Sequence, residues 1–418
     1  MADVIIVGAG PAGSTLATLL ARRGLDTLLL DKATFPREKT CGDYLSPGTV
    51  RLLDRLELLD AVQTAGARRL WGMTVTSPDG TSFTAAYPGR ARGDGIRPYA
   101  LSLRRSILDA LLLDRARNWG VKCLEGFGVT DLVREGERVC GVQGIGPEGP
   151  ETYRGKIVVG ADGRASVVAR RLGLHRAHPT LRRMALVAYY EGGAGPRDHG
   201  AISVGDGAYC ILNPVDAGMV STSIVLDQAM AVAWKGRLED LFERKLREFP
   251  AAAMALEPMR RCSPVRCLGP LAFRARRTSA AGALLIGDAT GFYDPFTGAG
   301  VYDALRGAEL AAHEIAAALN GGGPVPLRFP RFDRRLRQAR ASKRRLEALL
   351  QAIIRRPHAA SAAARLLRRL PSLADLLLGV IGDLPTAWAP AGPQVLTVLG
   401  PADTGRHDTL RPHRRILG

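Results

Sequence analysis

The residues best suited to chemistry lie at the start of the chain. They are the run Gly8-Ala9-Gly10-Pro11-Ala12-Gly13, with Asp31 placed 18 residues beyond Gly13. Their types and spacing suit the grip of a dinucleotide. Gly8 permits a tight turn, Gly10 lets backbone approach a pyrophosphate, and Gly13 lets a helix sit close to a sheet. Free N–H groups at that helix start would meet the phosphates, and Asp31 would accept hydrogen bonds from a ribose. Two later segments again set small residues around one acid: Gly160-Ala161-Asp162-Gly163 and Gly287-Asp288-Ala289. The second runs on through Phe292, Tyr293, Asp294, Pro295, Phe296, Thr297, Gly298 and Ala299 to Gly300, where a helix begins. Its glycines also let helix N–H groups approach something anionic. Cys41 lies in a polar loop near Arg37 and Lys39, cations that would lower a thiol pKa. No Ser/His/Asp or metal-ligand constellation stands beside these residues.

The elements that must position these residues read clearly. Residues 3–7 are a buried strand with the unbroken apolar run Val4-Ile5-Ile6-Val7. Leu16, Leu19 and Leu20 share one face of the helix that follows, and residues 28–30 form a second strand ending at Asp31. Pro47 suits the first turn of a helix over 49–59. Short strands are expected at 69–77 and 81–87, a Gly/Arg-rich loop at 89–95, and a long helix from 102 to 119. Strands follow at 121–124, 129–133, 139–145 and 156–159, then a helix at 166–172. Residues 184–226 alternate as an antiparallel sheet, a break from βα order that marks a second domain. A helix at 238–249, a last core strand at 282–286 and a helix at 301–319 complete the pattern. Residues 331–378 read as amphipathic helices and 392–418 as a loose tail. The fold class is α/β: a Rossmann-type domain interleaved with an antiparallel-sheet substrate domain, plus a C-terminal helical region. The expected partition assigns 1–75, 101–183 and 270–325 to the dinucleotide domain, 76–100 and 184–269 to the substrate domain, and 326–418 to the helical region and tail.

Charge narrows the partners. Lys+Arg 58 against Asp+Glu 40 gives +18, which favours acidic partners. The basic clusters at 331–345 and 355–369 are not interleaved with aromatics, which argues against nucleic acid. They point to a peripheral membrane surface or an acyl carrier protein. Six dispersed cysteines without a CxxC pair indicate reduced thiols. The opening core strand leaves no room for a signal peptide, and no apolar run reaches about 18 residues. The expected location is cytoplasmic, with membrane association through the basic helices as the alternative.

The three glycine-punctuated motifs, in this order, resemble the FAD-dependent oxidoreductases of the para-hydroxybenzoate hydroxylase fold, over roughly residues 3–320. Lys39-x-Cys41-Gly42-Asp43 with Pro47, the run Asp294-Pro295-Phe296-Thr297-Gly298, and the late Gly379-Val380-Ile381-Gly382-Asp383-Leu384-Pro385 are similar to the geranylgeranyl reductase branch. The resemblance implies FAD and NAD(P)H as cofactors. It implies that Gly8, Gly10 and Gly13, with Ala9, Pro11 and Ala12, hold the FAD pyrophosphate, and Asp31 with Lys32 the adenosine ribose. Arg105, in Arg105-x-x-Leu108-Asp109, would reach the FAD phosphates, with Arg37, Cys41 and Gly42 nearby. Val129 would offer its backbone to adenine, and Asp288, beside Gly287, would bind the ribityl and pyrophosphate portion. Pro295, Gly298, Ala299, Gly300 and Val301 would flank the isoalloxazine, and Asp162 would serve the nicotinamide cofactor or the FAD edge. Cys41, Pro295, Gly298 and Gly300 are the expected catalytic positions. Tyr44, Tyr209, Asn213, Phe292, Tyr293 and Phe296 are the expected substrate-pocket walls.

One strand departs from the branch. Geranylgeranyl reductases carry tyrosine-x-tryptophan-x-phenylalanine-proline beside the lipid pocket, where this chain has Tyr209-Cys210-Ile211-Leu212-Asn213-Pro214. The tryptophan-x-tryptophan-x-isoleucine-proline segment of flavin halogenases is absent from the sequence. The resemblance therefore implies an NAD(P)H-driven flavin oxidoreductase on a hydrophobic small molecule, such as a prenyl, polyene or secondary-metabolite compound. Reduction of a C=C bond and monooxygenation by hydroxylation or epoxidation both stand open, with a non-redox flavoprotein cyclase as a further alternative.

Overall fold

The opening apolar run becomes the strand Ala2–Val7, at the centre of the first sheet. It pairs in parallel with Thr27–Leu30 on one side and with Gly149–Gly160 on the other. The parallel set extends to Lys122–Leu124 and Ala283–Leu285. Alternation along the central strand serves two cores. Val4 and Ile6 pack beneath the helices Pro11–Ala21, Arg105–Asn118 and Gly300–Asn320. Ile5 and Val7 face Phe127, Val129, Val139 and Val142 of an antiparallel layer on the other side. This burial on both faces is why the parallel strands read as continuous apolar runs. The computed structural model describes residues 1–89, 98–193, 195–320 and 328–384. Most of the expected loop at 89–95, the tail at 392–418 and Pro385 of the late family-like segment lie outside the described residues.

The strand expected at 156–159 is longer than its apolar core, running from Gly149 to Gly160. Its first half pairs antiparallel with Arg138–Gly146, which pairs in turn with Gly128–Glu135. That half alternates exposed and half-buried residues, so it carries no apolar run to announce it.

The second sheet has the order Arg260–Arg261, Arg183–Glu191, Val220–Asp227, Tyr209–Pro214, His199–Val204, Gly72–Thr76, Ser82–Ala86. All its neighbours are antiparallel except His199–Val204 with Gly72–Thr76. Gly72–Thr76 crosses the expected domain boundary at 75 and pairs wholly within this sheet. Among the described residues, the helices Pro330–Ile354, Pro357–Arg369 and Pro371–Ile381 follow 328. The last packs Ala374 and Leu378 into the core of the second sheet, beside Ile202, Ile211 and Val225. Asp383 pins its end. The carboxylate accepts from Ser46 Oγ at 3.0 Å and Lys343 Nζ at 2.5 Å, and Gly48 N–H donates to the Gly382 carbonyl at 2.9 Å.

The glycine turn is dictated by contact. Gly8 sits at φ +104°, and a Cβ there would lie 2.6 Å from the Ala161 carbonyl oxygen. A Cβ on Gly13 would lie 1.8 Å from the Gly8 carbonyl oxygen. No side chain fits either place, so the helix Pro11–Ala21 is drawn directly over the strand end.

Candidate active site

A cavity of about 380 Å³ runs from this glycine turn to the second sheet. Its polar end gathers five cations, Lys32, Arg37, Lys39, Arg105 and Arg164, with Asp31, Asp162 and Asp288. The helix Arg105–Asn118 presents Arg105 from its first turn, and the side chain doubles back on Asp109. Nε and Nη2 of Arg105 donate to the Asp109 carboxylate at 2.7 and 2.9 Å. Asp109 is fully buried. Arg37 Nη2 lies 3.4 Å from the same carboxylate and 3.8 Å from Asp31. The Arg37 and Arg105 guanidiniums approach to 3.5 and 4.0 Å of where a Cβ on Gly10 would stand. Arg37 Nε is buried without a hydrogen-bond partner among the described residues. Lys39 is held below its ordinary pKa by burial and by the charges of Arg105 and Arg37. Burial raises the pKa of Asp288, against the pull of Lys39 and Arg164. Clustered cations over a helix N-terminus, with room left by Gly10, form a donor set that fits a pyrophosphate. The residues present therefore fit FAD. They would hold its diphosphate between the 10–13 turn and Arg37 and Arg105.

The other expected residues fall into three groups. Gly8, Gly10, Pro11, Ala12, Asp31, Lys32, Arg37, Cys41, Gly42, Tyr44, Arg105, Val129, Asp162, Asn213, Asp288, Phe292, Pro295, Phe296, Gly298, Ala299, Gly300 and Val301 all line the cavity. Ala9, Gly13 and Gly287 stand just behind it and shape the turns. Tyr209 and Tyr293, expected as pocket walls, stand outside the main cavity. The Tyr209 hydroxyl is engaged by the Asp294 carboxylate, and its fully buried ring meets Phe296 edge-on at 5.2 Å. It supports the turn Pro295–Thr297 from behind. Tyr293 faces a smaller cavity of about 200 Å³ with His178, Arg340 and Glu347.

Two expected ligand-binding acids are already engaged by backbone. Asp31 accepts from the N–H groups of Ala9 at 2.7 Å and Ala33 at 2.9 Å. Asp162 accepts from Val167 and Val168 at 2.7 and 3.2 Å and so caps the helix Val167–Arg171. Cys41 is half-buried on the cavity wall.

The apolar end was less visible in the sequence. Met73, Val75, Ala185, Val187, Ile202 and Ile211 form much of its wall. Leu378 and Ile381 of the C-terminal helix complete it. Between the two ends lies Asp43, at φ +57° and 1% exposed. Its carboxylate accepts from Tyr189 Oη at 2.7 Å and from the Arg105 N–H at 3.1 Å. Asn213 Nδ2 donates to the neighbouring Gly42 carbonyl at 2.9 Å. These contacts tie the cation loop to the substrate sheet. The sequence carries Asp43 only as part of its motif; the positive φ of this non-glycine residue and its contacts belong to the three-dimensional structure.

Burial pushes the Asp43 pKa from 3.8 up to about 6, against the Tyr189 hydrogen bond. A carboxyl whose pKa rises on folding binds more protons in the native chain than in the unfolded one. Its stabilising contribution is complete below the unfolded value and is lost as pH rises through about 6. Asparagine tolerates the left-handed backbone. We therefore expect Asp43→Asn to lack up to about 3 kcal/mol of the decline in stability that wild type shows between about pH 4 and 7. Urea unfolding across that range checks it, and parallel pH curves for the two proteins would contradict it.

The family model "FAD binding domain" matches residues 1–328. A tryptophan 2-halogenase of Chondromyces crocatus is 28% identical over 335 residues, 76% of this chain and 62% of that protein. The chain thus spans under two thirds of that relative's length. Digeranylgeranylglycerophospholipid reductase 1 of Methanococcoides burtonii is 30% identical over 321 residues, 75% of this chain and 74% of that one. Among solved structures, a myxobacterial chondrochloren halogenase superposes with a TM-score of 0.78 at 25% identity, covering 90% of each chain.

Proposed function

Since the chain belongs to the FAD binding domain family and is an FAD-dependent oxidoreductase or monooxygenase, we propose that it reduces a C=C bond of a hydrophobic, prenyl- or polyene-like molecule, with NAD(P)H as electron source. One observation carries this reading. A single cavity joins the pyrophosphate cradle to an apolar wall, and the 298–301 turn lies between them. When bound, FAD supplies hydride transfer between reductant and substrate. The chain supplies position and environment. Arg37 and Arg105 anchor the diphosphate, and the start of the helix Gly300–Asn320 places positive backbone dipoles at the turn. Val75, Ile202, Ile211 and Leu378 exclude water from the substrate end. The 30% identity to a reductase over three quarters of both chains supports reduction.

Oxygen-dependent chemistry is the second reading, favoured by the likeness to halogenases at 25–28% identity. Turnover of a panel of polyprenyl and polycyclic compounds, with and without O2, separates the two. Product with two added hydrogens in the absence of O2 supports reduction. Product formed only with O2 overturns it in favour of oxygenation.

Gly300 gives a sharper local prediction. Only Phe292, at 3.8 Å, comes within 4 Å of a Cβ built there. An aspartate in a first helical turn adds about 0.3–1 kcal/mol of stability. Gly300→Asp is therefore expected to fold at least as stably as wild type. Its carboxylate would enter the cavity beside the residues that would flank a bound flavin and oppose negative charge gained on its reduction, so bleaching by NAD(P)H should slow about 10²–10³-fold. Wild-type bleaching by this variant would contradict the placement.

A further inference from the structure

The helices Pro357–Arg369 and Pro371–Ile381 turn an apolar stripe outward. Leu366, Leu370, Leu373, Leu376 and Val380 are between 37% and 51% exposed. Residues 373, 376 and 380 recur at helical spacing, so they share one face of the last helix. Arg355, Arg356, Arg368 and Arg369 are exposed around the stripe, while Arg365 pairs with Asp79 at 2.6 Å. Residues 355–384 contain two acids, Asp375 and Asp383. Both turn inward: Asp375 accepts from the Ala86 N–H at 2.7 Å, and Asp383 is held by Lys343 and Ser46. The outer face is thus apolar at its centre and cationic at its rim. By contrast, two cations of the neighbouring basic helix are used internally. Arg340 pairs with Asp303 at 3.3 Å, and Lys343 binds Asp383.

The last helix also has an inner role. Leu378 and Ile381 line the main cavity. One thin element therefore separates an exposed leucine stripe from the apolar end of the site. We propose that this face docks on an anionic lipid bilayer, and that a lipophilic substrate enters the cavity past the helix Pro371–Ile381. Interfacial helices bind in this way, with leucines in the acyl boundary and arginines at anionic headgroups. The docking holds for either flavin reaction, and only the entry route rests on the hydrophobic-substrate reading above. Among the described residues 355–384 no acid turns outward, so the rim favours an anionic over a neutral bilayer.

Sedimentation with vesicles tests it. Full-length holoprotein is mixed with phosphatidylglycerol or with phosphatidylcholine vesicles, at low salt and at about 1 M salt, where the screening length is about 3 Å. The expected result is at least tenfold more binding to phosphatidylglycerol at low salt, most of it lost at high salt. Leu373→Glu combined with Leu376→Glu should abolish sedimentation. Its FAD content and its turnover of detergent-solubilised substrate should stay at wild-type levels. Equal binding to both vesicles, or undiminished binding by the variant, would overturn the proposal. So would a wild type that ignores vesicles but forms a dimer, or captures an acidic carrier protein, through these leucines. Vesicle binding reads no turnover, so its failure and a failure of the proposed reaction are distinguishable.

Discussion

The Arg105→Ala variant is expected to purify without FAD and to lose about 3–5 kcal/mol of stability. The size follows from what the substitution leaves behind. Asp109 has no exposure, and Arg105 satisfies both its oxygens. Arg37, at 3.4 Å, gives an ion pair but no replacement for the two lost hydrogen bonds. Removing one member of a buried pair strands the other charge, which costs far more than the pair itself contributes. The loss of FAD would have a separate origin: the guanidinium near Gly10 is one of the groups that would hold the diphosphate. A second variant separates the two effects. Arg105→Leu with Asp109→Leu removes both charges and should recover most of the stability, yet it should still purify without flavin. Urea midpoints and FAD released on heat denaturation check both. A double variant that keeps a wild-type load of FAD would refute the cradle.

The second large effect is expected at Gly298. This residue is left-handed, at φ +63°, where an L side chain costs about 1–2 kcal/mol. Its Cβ would lie 2.4 Å from Tyr44 Cδ1. The Tyr44 ring cannot easily swing away, because its hydroxyl is bonded to Tyr87 at 2.6 Å. Gly298→Ala must therefore move the turn or the ring, at about 1–3 kcal/mol for overpacking. Either movement displaces a wall of the cavity between the cradle and the apolar end. A misplacement of about 1 Å costs about 10²-fold in rate, so turnover should fall by at least that much while FAD remains bound. In a Tyr44→Ala background the clash is gone, and the same substitution should cost much less. A double-mutant cycle measures the coupling, expected at about 1 kcal/mol or more. Additive effects would mean that Tyr44 and Gly298 do not constrain each other.

Much of the nucleotide half was legible in the sequence because its cause is local. A strand buried on both faces must be apolar throughout, and a helix forced onto a strand end must carry glycine at the contact. Val4 to Val7, Gly8 and Gly13 state both requirements within ten residues. The substrate half was legible as a sheet but not as a wall. Every residue of Tyr209–Pro214 is buried, so period-two alternation does not show which side faces the cavity. Tyr209 therefore read as a wall residue, although it supports the Pro295–Thr297 turn from outside. Asp31 and Asp162 read as ligand acids and both line the cavity, and local backbone also holds them. Asp31 uses both oxygens on the Ala9 and Ala33 N–H groups. Asp162 uses Oδ2 alone, and its buried Oδ1 has no partner among the described residues. The closing helix was the least visible part. Its pattern announces one buried face, but nothing in a helical period says that Leu378 and Ile381 will line a site built almost 300 residues earlier. Asp43 stands in the Lys39-x-Cys41-Gly42-Asp43 motif, but its role was not legible for a similar reason: its contacts come from Tyr189 and Arg105, both distant in sequence.

The central claim is that the glycine turn, Arg37 and Arg105 form a ready cradle for FAD. Titration of flavin-stripped wild-type protein with FAD, followed by quenching of flavin fluorescence, tests it most directly. The account predicts saturation at one FAD per chain, with no quenching by the folded Arg105→Leu, Asp109→Leu protein. Folded wild-type protein that leaves the fluorescence unchanged would contradict it.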